Sequence, residues 1–156
     1  METKTPAAET LAHTETGSEE ETIAFGRTIA GELRRGEPVL FIGDLGAGKT
    51  RLIKGICSFF GVREQVTSPT FILLNEYKGK DGSGAPLAVH HFDLYRIRSI
   101  EEIMDLGYEE FFFGDGIALV EWGELLGPLA PQRRLEIRIA HRGDDRRSIE
   151  AVRFRA

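Results

Sequence analysis

Gly43-Asp44-Leu45-Gly46-Ala47-Gly48-Lys49-Thr50 sets two glycines, a lysine and a threonine at the spacing G-x-x-x-x-G-K-[ST]. Residues of these types, so spaced, are suited to binding phosphate. Glycines let the backbone wrap closely, so a row of N–H groups points at the anion. Lys49 is long enough to reach β- and γ-phosphates, and the Thr50 hydroxyl is a ligand for Mg²⁺. An ordinary glycine turn could share the fixed positions, so the flanks matter. Val39-Leu40-Phe41-Ile42 is a short apolar run of buried-strand character. After the motif, Leu52, Ile53, Ile56, Phe59 and Phe60 recur at helical spacing until Gly61. A helix that begins at the loop adds unpaired N–H donors and a favourable dipole. The expected ligand is therefore a nucleotide, held by Asp44, Leu45, Gly46, Ala47, Gly48, Lys49 and Thr50.

Three further stretches carry groups that could serve such a site. In Val66-Thr67-Ser68-Pro69-Thr70, Pro69 favours an extended or turn conformation in Ser68. The Ser68 and Thr70 hydroxyls then belong either to a polar strand lead-in or to a loop that senses the γ-phosphate and its metal. His90-His91-Phe92-Asp93 closes an apolar strand with an acid, which is either a solvated turn residue or a site carboxylate. Adjacent strand residues face opposite sides, so one histidine should pack and the other hydrogen-bond. With one cysteine and no further histidine at ligand spacing nearby, zinc is disfavoured. Gly116 to Glu121 reads as a buried strand ending in an acid, where a P-loop fold places its second metal-side carboxylate. Trp122 is a packing anchor or a functional aromatic beside it.

The elements that would position these groups are also legible. Ser18 with Glu21 forms a capping box, and Ile23, Phe25, Ile29, Ala30 and Leu33 supply the buried stripe of a helix that Gly36 ends. Residues 71–77 and 87–92 should pair as a hairpin across a Gly/Asp/Ser turn. Ser99 and Glu102 open a second capped helix to about Leu106, and Tyr108 to Phe113 a short third piece. Alternating runs at 135–140 and 148–154 suggest a closing antiparallel hairpin. Residues 1–17, mostly Thr, Glu and Ala, read as a disordered N-terminal tail, and 18–156 as a single domain. The expected class is α/β: a P-loop NTPase-like three-layer sandwich, its mixed sheet carrying helices on both faces and antiparallel hairpins.

Composition narrows the setting. The chain has 156 residues, 41% hydrophobic and 29% charged, enough for one well-cored domain. Its apolar runs are far too short for a membrane span, and no signal-like start is present, so a cytoplasmic home is expected. Cys57 falls on the apolar pattern of the post-loop helix and should be core. The net charge of −5 is uneven: residues 133–156 carry eight arginines against four acids. An acidic protein with one basic end is a poor stand-alone nucleic-acid binder. Its arginines read as the solvated outer face of edge strands, or as a contact for RNA or an acidic partner.

The motif at 43–50, Ser68-Pro69-Thr70, His91-Phe92-Asp93-Leu94-Tyr95-Arg96 and Glu121-Trp122 together closely resemble the TsaE (YjeE) family of bacterial ATPases in tRNA threonylcarbamoyladenosine synthesis. The likeness spans roughly residues 18–154. It implies a domain that binds ATP or ADP with Mg²⁺, and hydrolyses ATP slowly unless partners are present. It also implies TsaB–TsaD as partners, with tRNA met indirectly through them and the chain monomeric when alone. The family does not transfer threonylcarbamoyl; its ATP turnover resets the complex. By the same resemblance Thr50 and Glu121 hold the metal, Asp93 is needed for turnover, the Ser68–Thr70 loop switches, and Trp122 belongs to the switch or partner surface. Arg51 stands where a second threonine is common, and His90 where an aromatic often lies. The base should lie near Ser18–Glu20 and the loop after His141.

In the mechanism this implies, Lys49, the loop amides and Mg²⁺ stabilise the transferring phosphoryl group, Glu121 holds the metal, and Asp93 orients or deprotonates the attacking water. Alternatively Asp93 is a second metal-side group. No arginine is identifiable from sequence as a finger in cis, a group worth about 10³–10⁵ in rate. A small-molecule kinase would need a basic lid, and residues 38–132 offer no arginine cluster for one. A non-catalytic nucleotide-dependent binding module is the other alternative. A GTPase is disfavoured because no Asn-Lys-x-Asp motif occurs.

Overall fold

A computed structural model describes residues 7–44, 48–69 and 73–155. In chain order its elements are β1 (Ala7–Thr16), α1 (Glu19–Ala30), β2 (Val39–Ile42), α2 (Lys49–Phe59), β3 (Leu74–Lys80), β4 (Pro86–Asp93), α3 (Ile100–Asp105), α4 (Tyr108–Phe112), β5 (Ile117–Glu121), a 3₁₀ segment (Gly123–Leu129), β6 (Arg134–His141) and β7 (Arg147–Arg155). The seven strands make one sheet in the order β1-β7-β6-β2-β5-β4-β3. Its centre, β6-β2-β5-β4, is parallel, and β3 and the β7–β1 pair extend it antiparallel at either side.

Buried strands with no polar alternation need cover on both faces, and β2 shows how it is supplied. Val39 and Phe41 point into a core shared with Leu52, Ile53 and Ile56 of α2 and Ile29 of α1. Leu40 points the other way, against Ile103 of α3, Phe112 of α4, Val120 and Leu126. Helices therefore pack on both faces of a mixed sheet, as the periodicity indicated. Cys57 is buried in the first core, and that burial pushes its thiol pKa up to about 12.

The expected N-cap of α1 forms, with Ser18 Oγ accepting from the Glu21 N–H at 3.1 Å, but the reciprocal bond of the capping box shifts by one residue, a Glu21 carboxylate oxygen accepting from the Gly17 N–H at 2.6 Å. The helix ends at Ala30, ahead of the expected stop. Turns closed by Gly31, Glu32 and Leu33 N–H groups carry the chain to Gly36, whose own N–H donates to Gly116 O at 3.1 Å.

Residues 7–16 correct the expectation of a disordered tail through residue 17; residues 1–6 lie outside the described residues. Alternating Thr, Glu and Ala present few apolar side chains, yet β1 pairs along the whole of β7, with a bulge between Thr10 and Ala12. Backbone pairing on an existing sheet edge supplies what side-chain burial does not. β7 is consequently an interior strand. Its Arg153 is 2% exposed, and its guanidinium donates to both Glu37 carboxylate oxygens at 3.1 Å and to the Glu32 carbonyl. The solvated-edge expectation fails for that arginine.

α1 and α2 cross at two glycines. A Cβ on Gly55 would lie 2.0 Å from Ile23 O, and one on Gly26 would lie 2.4 Å from Leu52 O. This contact sets the tilt of α2 and hence where Lys49 and Thr50 start. Gly55→Ala should cost about 1–3 kcal/mol by overpacking, read as a lower urea midpoint with unchanged slope. An unaltered midpoint would mean that the helices do not meet here.

Candidate functional site

Gly48, the N-cap of α2, has a φ of 106°, a backbone that glycine alone takes without strain. α2 opens at once with Lys49 and Thr50. Lys49 is only 5% exposed; its Nζ donates to Gly43 O at 2.5 Å and lies 3.3 Å from the centre of the Trp122 ring. Burial lowers its pKa below the usual lysine value, opposed by the charges of Glu124, Glu121, Asp93 and Asp44.

β5 lies beside β2 in parallel, with Glu121 level with Phe41, and β4 lies beside β5 with Asp93 level with Glu121. Both acids are buried, at 4% exposure. Thr50 Oγ1 donates to Glu121 Oε1 at 3.0 Å, while Glu121 Oε2 lies 2.7 Å from His91 Nε2. Asp93 Oδ1 accepts from the Tyr95 N–H at 2.9 Å, and Oδ2 accepts from the Ser68 hydroxyl. Trp122, held in the left-handed region at φ 59°, turns the chain out of β5 with its ring against Lys49 and Tyr95. Residues far apart in sequence thus share one cavity of about 410 Å³, lined by Lys49, Thr50, Ser68, Asp93, Glu121 and Trp122. Leu45, Gly46, Ala47 and Thr70, also expected here, lie outside the described residues.

The histidine pair divides as strand alternation requires. His91 is fully buried and hydrogen-bonded; His90 packs its ring 4.9 Å from that of Phe111 and leaves Nδ1 without a hydrogen-bond partner. Among the described residues no cluster of three His, Cys, Asp or Glu side chains is placed to hold a metal. The Thr50 hydroxyl and the adjacent carboxylates are hard oxygen donors, the set that suits a magnesium ion completing its shell with phosphate and water.

On its far side the cavity meets Glu19 and Thr22 from the start of α1, Asp145 from the loop before β7 and Arg147 from the first residue of β7, close to the two regions expected to lie near a base. Thr16 and Thr22 hydroxyls meet at 2.7 Å there, tying β1 to that wall. Three participants escaped the sequence reading. Glu124 lies two residues after Glu121-Trp122 and could have been found from that nearness. Arg147 carries no signal that separates it from the other arginines, yet it borders the cavity. The His91–Glu121 bond requires the strand register before it can be seen.

A mixed α/β sheet whose crevice opens at the carboxyl ends of parallel strands, with Gly48 and two strand-end acids lining it, is the class that fold and site define. The family model described as "Threonylcarbamoyl adenosine biosynthesis protein TsaE" matches residues 16–149, and the chain belongs to the TsaE family. A Bacillus subtilis protein named tRNA threonylcarbamoyladenosine biosynthesis protein TsaE is 42% identical over 130 residues, covering 83% of this chain and 78% of its own. The Treponema pallidum protein of the same name is 35% identical over 132 residues, 85% of this chain and 93% of its own. The crystal structure of Bacillus subtilis YdiB superposes with a TM-score of 0.75 at 34% identity, covering 97% of this chain and 88% of that one. Among the described residues, no helix is long and apolar enough to cross a membrane.

The Lys49 environment is directly measurable. After reductive ¹³C-methylation, the resonance lost in Lys49→Arg should titrate below those of the other lysines. Glu124→Gln removes a charge that raises the Lys49 pKa, so it should move that midpoint further down. A midpoint at the ordinary lysine value would show that Lys49 is not desolvated as described.

Proposed function

We propose that this chain is a Mg²⁺-dependent ATPase that serves tRNA threonylcarbamoyladenosine formation as an accessory to TsaB–TsaD. The observation that carries the reading is the 3.0 Å bond from Thr50 at the start of α2 to Glu121 at the end of β5. It joins the glycine-loop hydroxyl to a buried carboxylate where a nucleotide-bound metal would sit.

Backbone amides from Leu45 to Thr50 receive the phosphates, and Lys49 leaves the Gly43 carbonyl and the Trp122 ring for β- and γ-oxygens. Thr50 and Glu121 would hold magnesium, which supplies positive charge to the phosphate oxygens. Asp93, exchanging its Ser68 partner for water, orients that water toward the γ-phosphorus. A P–O bond forms to the water oxygen and the bond to the β–γ bridging oxygen breaks, while the water's proton passes to Asp93 or to a phosphate oxygen, giving ADP and phosphate. Ser68, with Thr70 beyond it, senses whether the γ-phosphate is present, because its hydroxyl shares the Asp93 carboxylate. Glu19, Thr22, Asp145 and Arg147 receive the base and ribose. Trp122 reports occupancy to a partner surface that includes exposed Tyr95.

The names of the relatives place them in tRNA threonylcarbamoyladenosine biosynthesis. For this chain the reading is that ATP turnover resets a cytoplasmic TsaB–TsaD complex, that tRNA is met through that complex, and that the chain is monomeric when alone. Reconstituting the tRNA modification with and without this protein, with ATP consumption measured in parallel, tests it. Turnover should rise when TsaB–TsaD is added, and equal rates would make the chain self-sufficient.

Lys49→Ala should weaken nucleotide binding about 10–100-fold, the worth of a charge-assisted hydrogen bond, and lower turnover with it. Normal turnover in that variant would remove the loop from the mechanism. Asp93→Ala should leave ATP affinity intact and cut kcat by about 10²–10⁴. An equal loss of Mg²⁺-dependent binding would reassign Asp93 to the metal.

A further inference from the structure

We infer that His91 is a positioning residue that aims the Glu121 carboxylate at Thr50 and ties that aim, through Tyr77 and Asn75, to the backbone of Thr67 in the Ser68 loop. The inference rests on the proposed magnesium-side role of Glu121.

A fully buried histidine is usually core, but this one is bonded at both ring nitrogens. Nε2 lies 2.7 Å from Glu121 Oε2 and Nδ1 lies 3.2 Å from the Tyr77 hydroxyl. Glu121 has two oxygens and both are engaged, one by Thr50 and one by His91. Removing the imidazole would leave Oε2 as a buried acceptor without a donor, and would free the carboxylate to rotate away from Thr50. Groups that orient a metal-side ligand in this way typically govern affinity without touching the ion.

Beyond Nδ1 the chain of bonds reaches the loop. Tyr77 has one hydroxyl proton and two acceptors at 3.2 Å, His91 Nδ1 and the Thr67 carbonyl. Asn75 Nδ2 lies 3.2 Å from that carbonyl and 3.4 Å from the Tyr77 oxygen. When the hydroxyl turns to His91, Asn75 keeps the Thr67 carbonyl satisfied. Ser68, the next residue, donates to Asp93. Two consecutive loop residues therefore anchor both strand-end carboxylates, Glu121 by way of His91, Tyr77 and Asn75, and Asp93 directly. A displacement of this loop alters both acids together.

The test uses the full chain with ADP, and Mn²⁺ as a paramagnetic stand-in for magnesium. Free Mn²⁺ is measured by electron paramagnetic resonance, ADP affinity in EDTA by calorimetry, and folding by thermal melting. His91→Phe, which keeps a ring and loses both nitrogens, should weaken Mn²⁺ binding to the ADP complex about 10–100-fold and leave ADP affinity in EDTA unchanged. His91→Gln, which restores one donor toward Glu121, should recover most of the loss. Tyr77→Phe should show a smaller loss than His91→Phe. Unchanged Mn²⁺ affinity in folded His91→Phe, or a His91→Gln no better than His91→Phe, overturns the positioning role. Unchanged affinity in Tyr77→Phe overturns the tie to the loop, and decides the matter if His91→Phe does not fold. Glu121→Gln separates the two levels. If it leaves Mn²⁺ affinity intact, the magnesium-side reading of Glu121 fails; if it weakens Mn²⁺ while His91→Phe does not, only the positioning role fails.

Discussion

Parallel register across β2, β5 and β4 is the constraint on which the site depends. It sets Phe41, Glu121 and Asp93 on one line, with the glycine turn beginning just past the end of β2. Strand side chains alternate, so a slip of one residue would turn Glu121 away from Thr50 and bring Val120 there instead. The register is held by the two cores, since Leu119 must reach one and Val120 the other. Apolar packing on both faces thus fixes two carboxylates to within hydrogen-bonding precision.

The helical side must be equally well placed, because Thr50 comes from α2 and Glu121 from the sheet. The Gly26–Gly55 crossing brings backbone against backbone, leaving α2 little freedom to slide along α1. Charges buried where these elements meet are each compensated. Lys49 has a carbonyl and an aromatic face, Glu121 a hydroxyl and an imidazole, Asp93 a backbone N–H and a hydroxyl. Without such partners, removing any of them from water would cost several kcal/mol. The Lys49 and Asp93 partners are also ones that an incoming phosphate or water can replace.

What could be read from the sequence was whatever depends on local pattern. The strand at 39–42, the helix after it, the N-cap at Ser18 and both hairpins have periods and punctuation of their own. So does the acid at each strand end, which made Asp93 and Glu121 visible, and the loop motif made Lys49 and Thr50 so. β1 was missed because its strand character is lent by β7. Leu11 and Ala12 are its few apolar contributions to the core, and a Thr/Glu alternation looks the same in a tail. His91 could be assigned a hydrogen bond but not a partner, since the choice of Glu121 over any other group follows from pairing between strands 30 residues apart.

The arginine-rich end shows the same limit from the side of charge. As sequence it is a block of positive charge and invites a nucleic-acid reading. In the fold, Arg153 is spent on Glu37, Arg134 and Arg138 share Glu136, and Arg155 meets Glu9 of β1. Arg134 also lies over the Phe154 ring, and Arg147 turns to the cavity wall. Phosphate binding on a nucleic acid depends on cations that are free to displace its counterions. Arg134, Arg138, Arg153 and Arg155 instead pair with acids of β1, β6, β7 and the turn after α1. A strand that must carry β1 on one side and β6 on the other gains more from cross-strand pairs than from a bare cationic face, and that accounts for the arginines paired across these strands.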